Sequence, residues 1–207
     1  MAHRRLTWLL RHGGIDEGFE FDAEGYTSAS QVLDYLQVNR AELEQIVKAD
    51  SKTRFTLQGD RIRANQGHSH SIGTQIDPTT YLRYDLCDLS AQTLMIHGTY
   101  QHWLSSIQTQ GLSRMSRTMI HMCQIELEYP AFEPVEFETE PVEFETIHRL
   151  ISKVHSGVRR NCNLYIIIDH ISALRDGIKF YRSSNGVILS DGVNGIIPPK
   201  YLRFITR

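Results

Sequence analysis

Arg54-Phe55-Thr56-Leu57-Gln58-Gly59-Asp60-Arg61-Ile62-Arg63-Ala64 holds two short runs on either side of a Gly-Asp turn and reads as a β-hairpin. In the second run Ile62 and Ala64 alternate with Arg61 and Arg63, which predicts both arginines on one face. Toward the start of the chain, Ala29 to Leu36 follows Ser28 and Ser30, and Ala41 to Lys48 follows Asn39. Such side chains accept hydrogen bonds from the first turn of a helix, so two helices are expected there. Earlier still, Leu6, Leu9 and Leu10 recur at helical spacing, and Gly13-Gly14 is expected to end that helix as a C-terminal cap.

Three short helices followed by a hairpin are the element order of a winged-helix module, expected over residues 1–75. Residues 71–90 are polar, include Pro78 and read as a connection, with the linker placed at 76–90. Beyond it the pattern becomes strand-rich: Thr93 to Ile96, Leu164 to Ile168 and Gly186 to Leu189, with a helix from about Tyr100 to Gln110 closed by Gly111. The fold class expected is therefore α+β, with a second domain over 91–207.

The chain has 207 residues, 41% of them apolar, and a formal charge of −2, a composition that fits neither a disordered chain nor a disulfide-stapled one. The near-neutral total hides an uneven distribution. Eight of the 24 acids, Glu126 to Glu145, fall in a stretch with no Lys or Arg, and without them the chain carries +6. Outside that stretch, residues 91–207 hold twelve basic residues against three acids. The acidic stretch contains a duplication, Pro134-Val-Glu-Phe-Glu-Thr-Glu140 followed by Pro141-Val-Glu-Phe-Glu-Thr-Ile147, and is expected as a solvated insertion at about 125–150. No apolar run has membrane-spanning length, and Leu6 to Leu10 after Arg4-Arg5 is too short for a signal-peptide core. An intracellular, soluble protein is expected. Cys87, Cys123 and Cys162 are isolated and are expected as free or buried thiols.

Several groups carry chemistry. Arg11-His12 at the end of the first helix suits the negative end of the helix dipole, which explains it without any site. His68-Ser69-His70 lacks a third ligand at a recognisable spacing, so no metal site is expected. His97-Gly98-Thr99 follows an apolar strand, where a glycine lets backbone approach a ligand.

Taken in order, these segments stop being independent. Leu-Leu-Arg11-His12, Glu24-Gly25-Tyr26, Lys52-Thr-Arg54-Phe55, Ile62-Arg63-Ala64-Asn-Gln66-Gly67-His68-Ser69, His97-Gly98-Thr99, Gly111-Leu112 with Met115-Ser-Arg117-Thr-Met-Ile-His121, Gly157-Val-Arg159 and Ser184-Asn185-Gly186-Val187-Ile188-Leu189 resemble the NAD-dependent RNA 2′-phosphotransferase family of tRNA splicing. The resemblance leaves out roughly residues 71–90 and 125–150. It implies an N-terminal winged-helix RNA lobe and a C-terminal lobe resembling ADP-ribosyltransferases. It also implies an enzyme that moves an internal RNA 2′-phosphate to NAD in two steps, through an RNA-phospho-ADP-ribose intermediate, giving 2′-hydroxyl RNA, nicotinamide and ADP-ribose 1″,2″-cyclic phosphate.

Matched to the family's Arg-His-Arg-Arg set, Arg11, His12, Arg63 and Arg159 are the implied catalytic residues, the arginines clamping phosphate and His12 donating a hydrogen bond or moving a proton. Ser69, His97, Gly98, Thr99, Arg117, His121 and Asn185 are implied for NAD, with His97 holding a ribose hydroxyl and the Gly98 backbone meeting the nicotinamide amide. No metal is implied. The partner implied is 2′-phosphorylated RNA such as tRNA, with a monomer in the cytoplasm, or the nucleus in a eukaryote. The family's His-Ile-His is Met119-Ile120-His121 here, and its Gly-Met-Arg is Gly157-Val158-Arg159. Two other functions share these residues: an ADP-ribosyltransferase capping phosphorylated nucleic-acid ends, and a catalytically silent RNA- or NAD-binding homologue.

Overall fold

The computed structural model describes residues 2–82, 93–126, 143–154, 156–158 and 161–207. The fold is mixed α and β, with three sheets among the described residues, and it divides into two compact units. One unit is the chain up to Arg83 together with Ser116–Thr118 and Ser183–Asn185; the other is the remainder.

The first unit opens with α1 (Ala2–Trp8), which widens into a π-helical turn over Leu9–Gly13. Leu6, Leu9 and Leu10 are fully buried along it. Gly13 and Gly14 do not form the left-handed cap that the sequence suggests: Gly14 is right-handed at φ −59°. Their missing side chains are needed for packing, because a Cβ would sit 2.0 Å from the Trp8 ring at Gly13 and 2.6 Å from Phe21 at Gly14. Next come β1 (Tyr26–Ser28), α2 (Ala29–Leu36), α3 (Arg40–Lys48), β2 (Phe55–Gln58) and β3 (Arg61–Ala64). Ser28 caps α2 through Gln31 N–H, and Asn39 with Glu42 closes a reciprocal capping box on α3. The antiparallel sheet runs β1-β3-β2, with Phe55 opposite Ala64. Strand alternation behaves as expected, burying Ile62 and Ala64 while Arg61 and Arg63 both lie over the Tyr26 ring, at 4.2 and 4.6 Å.

The described part of the polar connection after β3 contains α4 (His70–Gly73) and α5 (Pro78–Tyr81). Ile72 and Ile76 drop into the core with Leu6, Leu9, Val32 and Phe55, which explains a fold where composition suggests a loop.

The second unit contains β4 (Thr93–Thr99), α6 (Leu104–Gln110), β5 (Leu112–Ser113), β6 (Ile120–Glu126), α7 (Phe144–Ser152), β7 (Leu164–Ile168), α8 (His170–Arg175), β8 (Tyr181–Arg182), β9 (Ile188–Ser190), β10 (Ile196–Ile197) and β11 (Leu202–Thr206). Six of these strands form a sheet in the order β11-β7-β4-β6-β9-β8, every neighbour antiparallel. On β7, Leu164, Ile166 and Ile168 enter one apolar cluster while Tyr165 and Ile167 enter another. A strand covered on both faces reads as an unbroken apolar run, as this one does. Gly111 ends α6 at φ +90°, and a Cβ there would meet the Ile197 carbonyl at 2.5 Å.

The described residues at the two ends of the expected acidic insertion lie in regular elements. Ile125 and Glu126 belong to β6, and the second repeat copy runs into α7, with Phe144, Ile147 and Ile151 buried on one helical face. The rest of the repeat lies outside the described residues, as do Cys87 and Arg159. Cys123 and Cys162 are buried thiols.

Candidate active site

In the first unit the π-helical turn displays Arg11 and His12 on consecutive positions. Such widened turns are frequent at functional sites because they re-aim side chains. The Arg11 carbonyl accepts hydrogen bonds from the Ser69 N–H at 2.8 Å and the Ser69 hydroxyl at 3.1 Å, and the His12 carbonyl accepts from the Ser71 hydroxyl at 3.4 Å. Gly67, at φ +92°, lies flat against the Arg11 guanidinium, where a Cβ would fall 3.2 Å from it.

Arg11 Nε and Nη2 are buried and have no hydrogen-bond partner among the described residues. Burial pushes the guanidinium down to about 10, and the positive charges of Arg54 and Arg117 add to this against a small opposing effect of Asp50. A buried cation crowded by cations, with unused donors, favours an anion strongly. Arg54 is held by the buried Asp50 carboxylate, which also bonds His3 at 3.2 Å. Burial disfavours that carboxylate, but the Arg54 N–H, His3 and the Arg54 charge together keep it below its ordinary range.

His68 is 2% exposed, and burial, followed by the charges of Arg11, Arg63 and His12, pushes it down to about 3. It is neutral across the physiological range. Burial also lowers exposed-edge His12, with Arg11 and Arg117 contributing. Arg63 donates to the Glu24 carbonyl at 3.1 Å.

Three of the residues implied for NAD by resemblance, Ser69, Arg117 and Asn185, fold with this unit. Ser69 and Arg117 form an isolated antiparallel bridge, flanked by bonds from His70 N–H to the Ser116 carbonyl and from Thr118 N–H to the His68 carbonyl. This brings Arg117 beside Arg11 and His12. The Asn185 amide donates to the Lys52 carbonyl at 2.9 Å and its oxygen accepts from Ser183 at 2.7 Å, which ties 183–185 to the same unit.

The second unit carries His97, Gly98, Thr99 and His121. β4 pairs with β6 only from Thr93 to Ile96, while its pairing with β7 continues to Thr99. The two central strands therefore part at His97. Into the parting enters the segment 156–158: a Cβ on Gly157 would lie 2.7 Å from the Met122 carbonyl, and one on Gly98 would lie 2.3 Å from Val158 Cγ2 and 2.8 Å from Cys162 Sγ. Gly98 is thus glycine in order to admit Val158 and Cys162. Arg159 follows directly in sequence, outside the described residues.

His97 Nδ1 lies 2.8 Å from the His121 carbonyl. A carbonyl only accepts, so Nδ1 carries a proton and the ring is oriented by that bond. Met119 is 5% exposed and packs as an apolar residue. Among the described residues no His, Cys, Asp and Glu group could hold a metal ion, and no helix is long and apolar enough to cross a membrane.

Sequence reasoning did not single out His68, Arg54 or Asp50 for a role. The Arg54 and His68 segments are visible as motifs, but their convergence on Arg11 is tertiary.

Comparison with known proteins gives a consistent picture. A zebrafish (Danio rerio) tRNA 2′-phosphotransferase 1 is 34% identical over 209 residues, covering 96% of this chain and 81% of that protein. A Schizosaccharomyces pombe protein, described provisionally as a tRNA 2′-phosphotransferase, is 34% identical over 205 residues; the chain spans 48% of its length. A Flavobacterium johnsoniae protein with a similarly provisional description as an RNA 2′-phosphotransferase is 30% identical over 206 residues, covering 96% of this chain and 92% of that protein. The model of the RNA 2′-phosphotransferase, Tpt1/KptA family matches residues 2–192, and the chain belongs to that family.

Proposed function

We propose that this chain is an enzyme that transfers an internal RNA 2′-phosphate to NAD, leaving a 2′-hydroxyl RNA. The observation that carries the reading is the buried Arg11 guanidinium, whose Nε and Nη2 have no partner among the described residues and whose neighbours Arg54 and Arg117 are also cations. A 2′-phosphate beside a phosphodiester concentrates negative charge in one place and matches such a site.

In this reading the first unit is a winged-helix RNA lobe and the second an ADP-ribosyltransferase-like lobe, supported by their element order. Arg11, Arg63 and Arg159 clamp the phosphate, because planar, permanently charged guanidiniums meet equatorial phosphate oxygens in two-point contact. His12, lowered by burial and by adjacent arginines, is neutral near pH 7 and takes or returns the proton of the ribose hydroxyl that attacks phosphorus. Neutral His68 supports Arg11 and Arg63 without adding charge.

The residues at the parting of β4 and β6 suit a dinucleotide's ribose and amide. His97, with its ring fixed by the His121 carbonyl, accepts from a ribose hydroxyl; Thr99 supplies a hydroxyl and Gly98 its backbone. Ser69, Arg117, His121 and Asn185 complete the NAD set. NAD supplies an electrophilic ribose carbon and nicotinamide as a neutral leaving group. The work of the chain is to bind, to orient and to neutralise charge.

The test is turnover of a short RNA with one internal 2′-phosphate in the presence of NAD, for the wild type, Arg63→Ala and Arg159→Ala. Loss of phosphate from RNA in the wild type and its arrest in both variants are expected. An inert wild type contradicts the function, and full activity in both variants contradicts the clamp.

A further inference from the structure

Directly after the strand end His97-Gly98-Thr99 the chain turns through Tyr100, Gln101, His102 and Trp103 before α6 begins. Three aromatic rings gather on this turn. Tyr100 and His102 are parallel to within 7° with centroids 5.7 Å apart, and His102 meets Trp103 at 5.0 Å and 52°. His102 is exposed and Trp103 is 46% exposed, an unusual position for so large an apolar ring.

The turn is held in shape from below. The Tyr100 hydroxyl donates to Asn161 at 3.3 Å, Gln101 N–H donates to the Asn163 side chain at 2.8 Å, and Asn163 N–H donates to the Thr99 carbonyl at 3.1 Å. A surface fixed in advance loses little entropy when something settles on it. Its charge points the same way: from Thr93 to Ile125 the chain contains Arg114 and Arg117 but no Asp or Glu. A polyanion meets no repulsion from this stretch.

We propose that Tyr100, His102 and Trp103 form a stacking platform for an unpaired base of the RNA substrate. Every nucleobase has a π face, so stacked aromatics accept bases with little regard to sequence. Small molecules are held in concave sites that cover most of their surface. These rings instead lie on an open turn, which suits a base projecting from a strand anchored elsewhere by its phosphate. The proposal rests on the reading of phosphorylated RNA as substrate.

The experiment is equilibrium binding of the whole chain, without NAD, to a short single-stranded RNA carrying one internal 2′-phosphate, at several salt concentrations. Trp103→Leu keeps an apolar side chain and removes the π face; Trp103→Phe keeps a π face; thermal melting shows that each variant is folded. Trp103→Leu is expected to weaken RNA binding roughly 5- to 150-fold, as loss of one stacked base does, with the salt slope unchanged because no phosphate contact is lost. Trp103→Phe and His102→Ala are expected to fall between wild type and Trp103→Leu. The KM for NAD is expected to stay the same in all variants.

Unchanged RNA affinity in Trp103→Leu, or a raised KM for NAD with RNA affinity intact, overturns the platform as an RNA site; the second result assigns it to the dinucleotide's base. If the wild type itself fails to bind the phosphorylated RNA, the substrate reading falls. If it binds and turns over while Trp103→Leu matches it, only the platform does.

Discussion

Ser69 grips the backbone carbonyl of Arg11 twice, through its N–H at 2.8 Å and through its hydroxyl at 3.1 Å. The widened turn leaves that carbonyl to a partner from 58 residues away, so the direction of the Arg11 side chain depends on a contact outside its own helix. Ser69→Ala removes one of the two bonds. A loss of about 1 kcal/mol in stability is expected, together with lower turnover, and Ser69→Thr should restore both. Denaturant unfolding and initial rates check this; a variant unchanged in both would show that the hydroxyl does not position Arg11.

His68 makes stability depend on pH. Its folded value, about 3, lies below the ordinary 6.5, so between those values the unfolded chain binds the extra proton. Stability therefore rises with pH through this window and is lost as pH falls from 6.5 toward 3. Asp50 acts in a lower window: its folded value is depressed below 3.8, so its contribution is present above 3.8 and is lost as pH falls through the depressed value. Urea midpoints measured from pH 7 to 4 should decline for the wild type and flatten between pH 6.5 and 4 in His68→Asn. An equal slope in the variant contradicts the assignment.

His12 is lowered by burial and by Arg11 and Arg117, so it should titrate below 6.5. A pH–rate profile for the transfer reaction is expected to show a limb on the acid side of 6.5, absent in the residual activity of His12→Asn. A limb that survives the substitution belongs to another group.

The parting of β4 and β6 depends on the absence of a side chain at Gly98, since a Cβ would meet Val158 Cγ2 at 2.3 Å. Gly98→Ala should cost about 1–3 kcal/mol by overpacking, and Val158→Ala should recover part of that in the double variant. Stability measured around the full double-mutant cycle tests it. Additive effects would mean that the two residues do not press on each other.

Local signals made much of the first unit legible. Ser28 and Asn39 cap their helices through neighbours three residues on, and the Arg61 to Ala64 alternation put two arginines over one tyrosine. Gly13-Gly14 misled because a glycine pair suits both a left-handed cap and a tight contact, and only the position of the Trp8 ring decides between them. The sequence signals do not show β6: Ile120-His-Met-Cys-Gln-Ile-Glu126 reads as a motif with two polar interruptions, yet it lies in the middle of the sheet, with its backbone paired to β4 on one side and β9 on the other. α7 is hidden because acids flank Phe144 in the repeat, while its partner Ile147 is the last residue of the repeat and Ile151 lies beyond it. The gathering of Arg54, Arg117 and His68 on Arg11 joins four separate stretches of chain, and no local pattern encodes that.

The most direct measurement follows the phosphorus atom. An RNA labelled with radioactive phosphorus only at one internal 2′-phosphate is incubated with the protein and NAD, and the label is traced. The account predicts that the label leaves the RNA and appears in ADP-ribose 1″,2″-cyclic phosphate, with one nicotinamide released per phosphate moved. Label that stays on the RNA, or that leaves it as inorganic phosphate without release of nicotinamide, would contradict it.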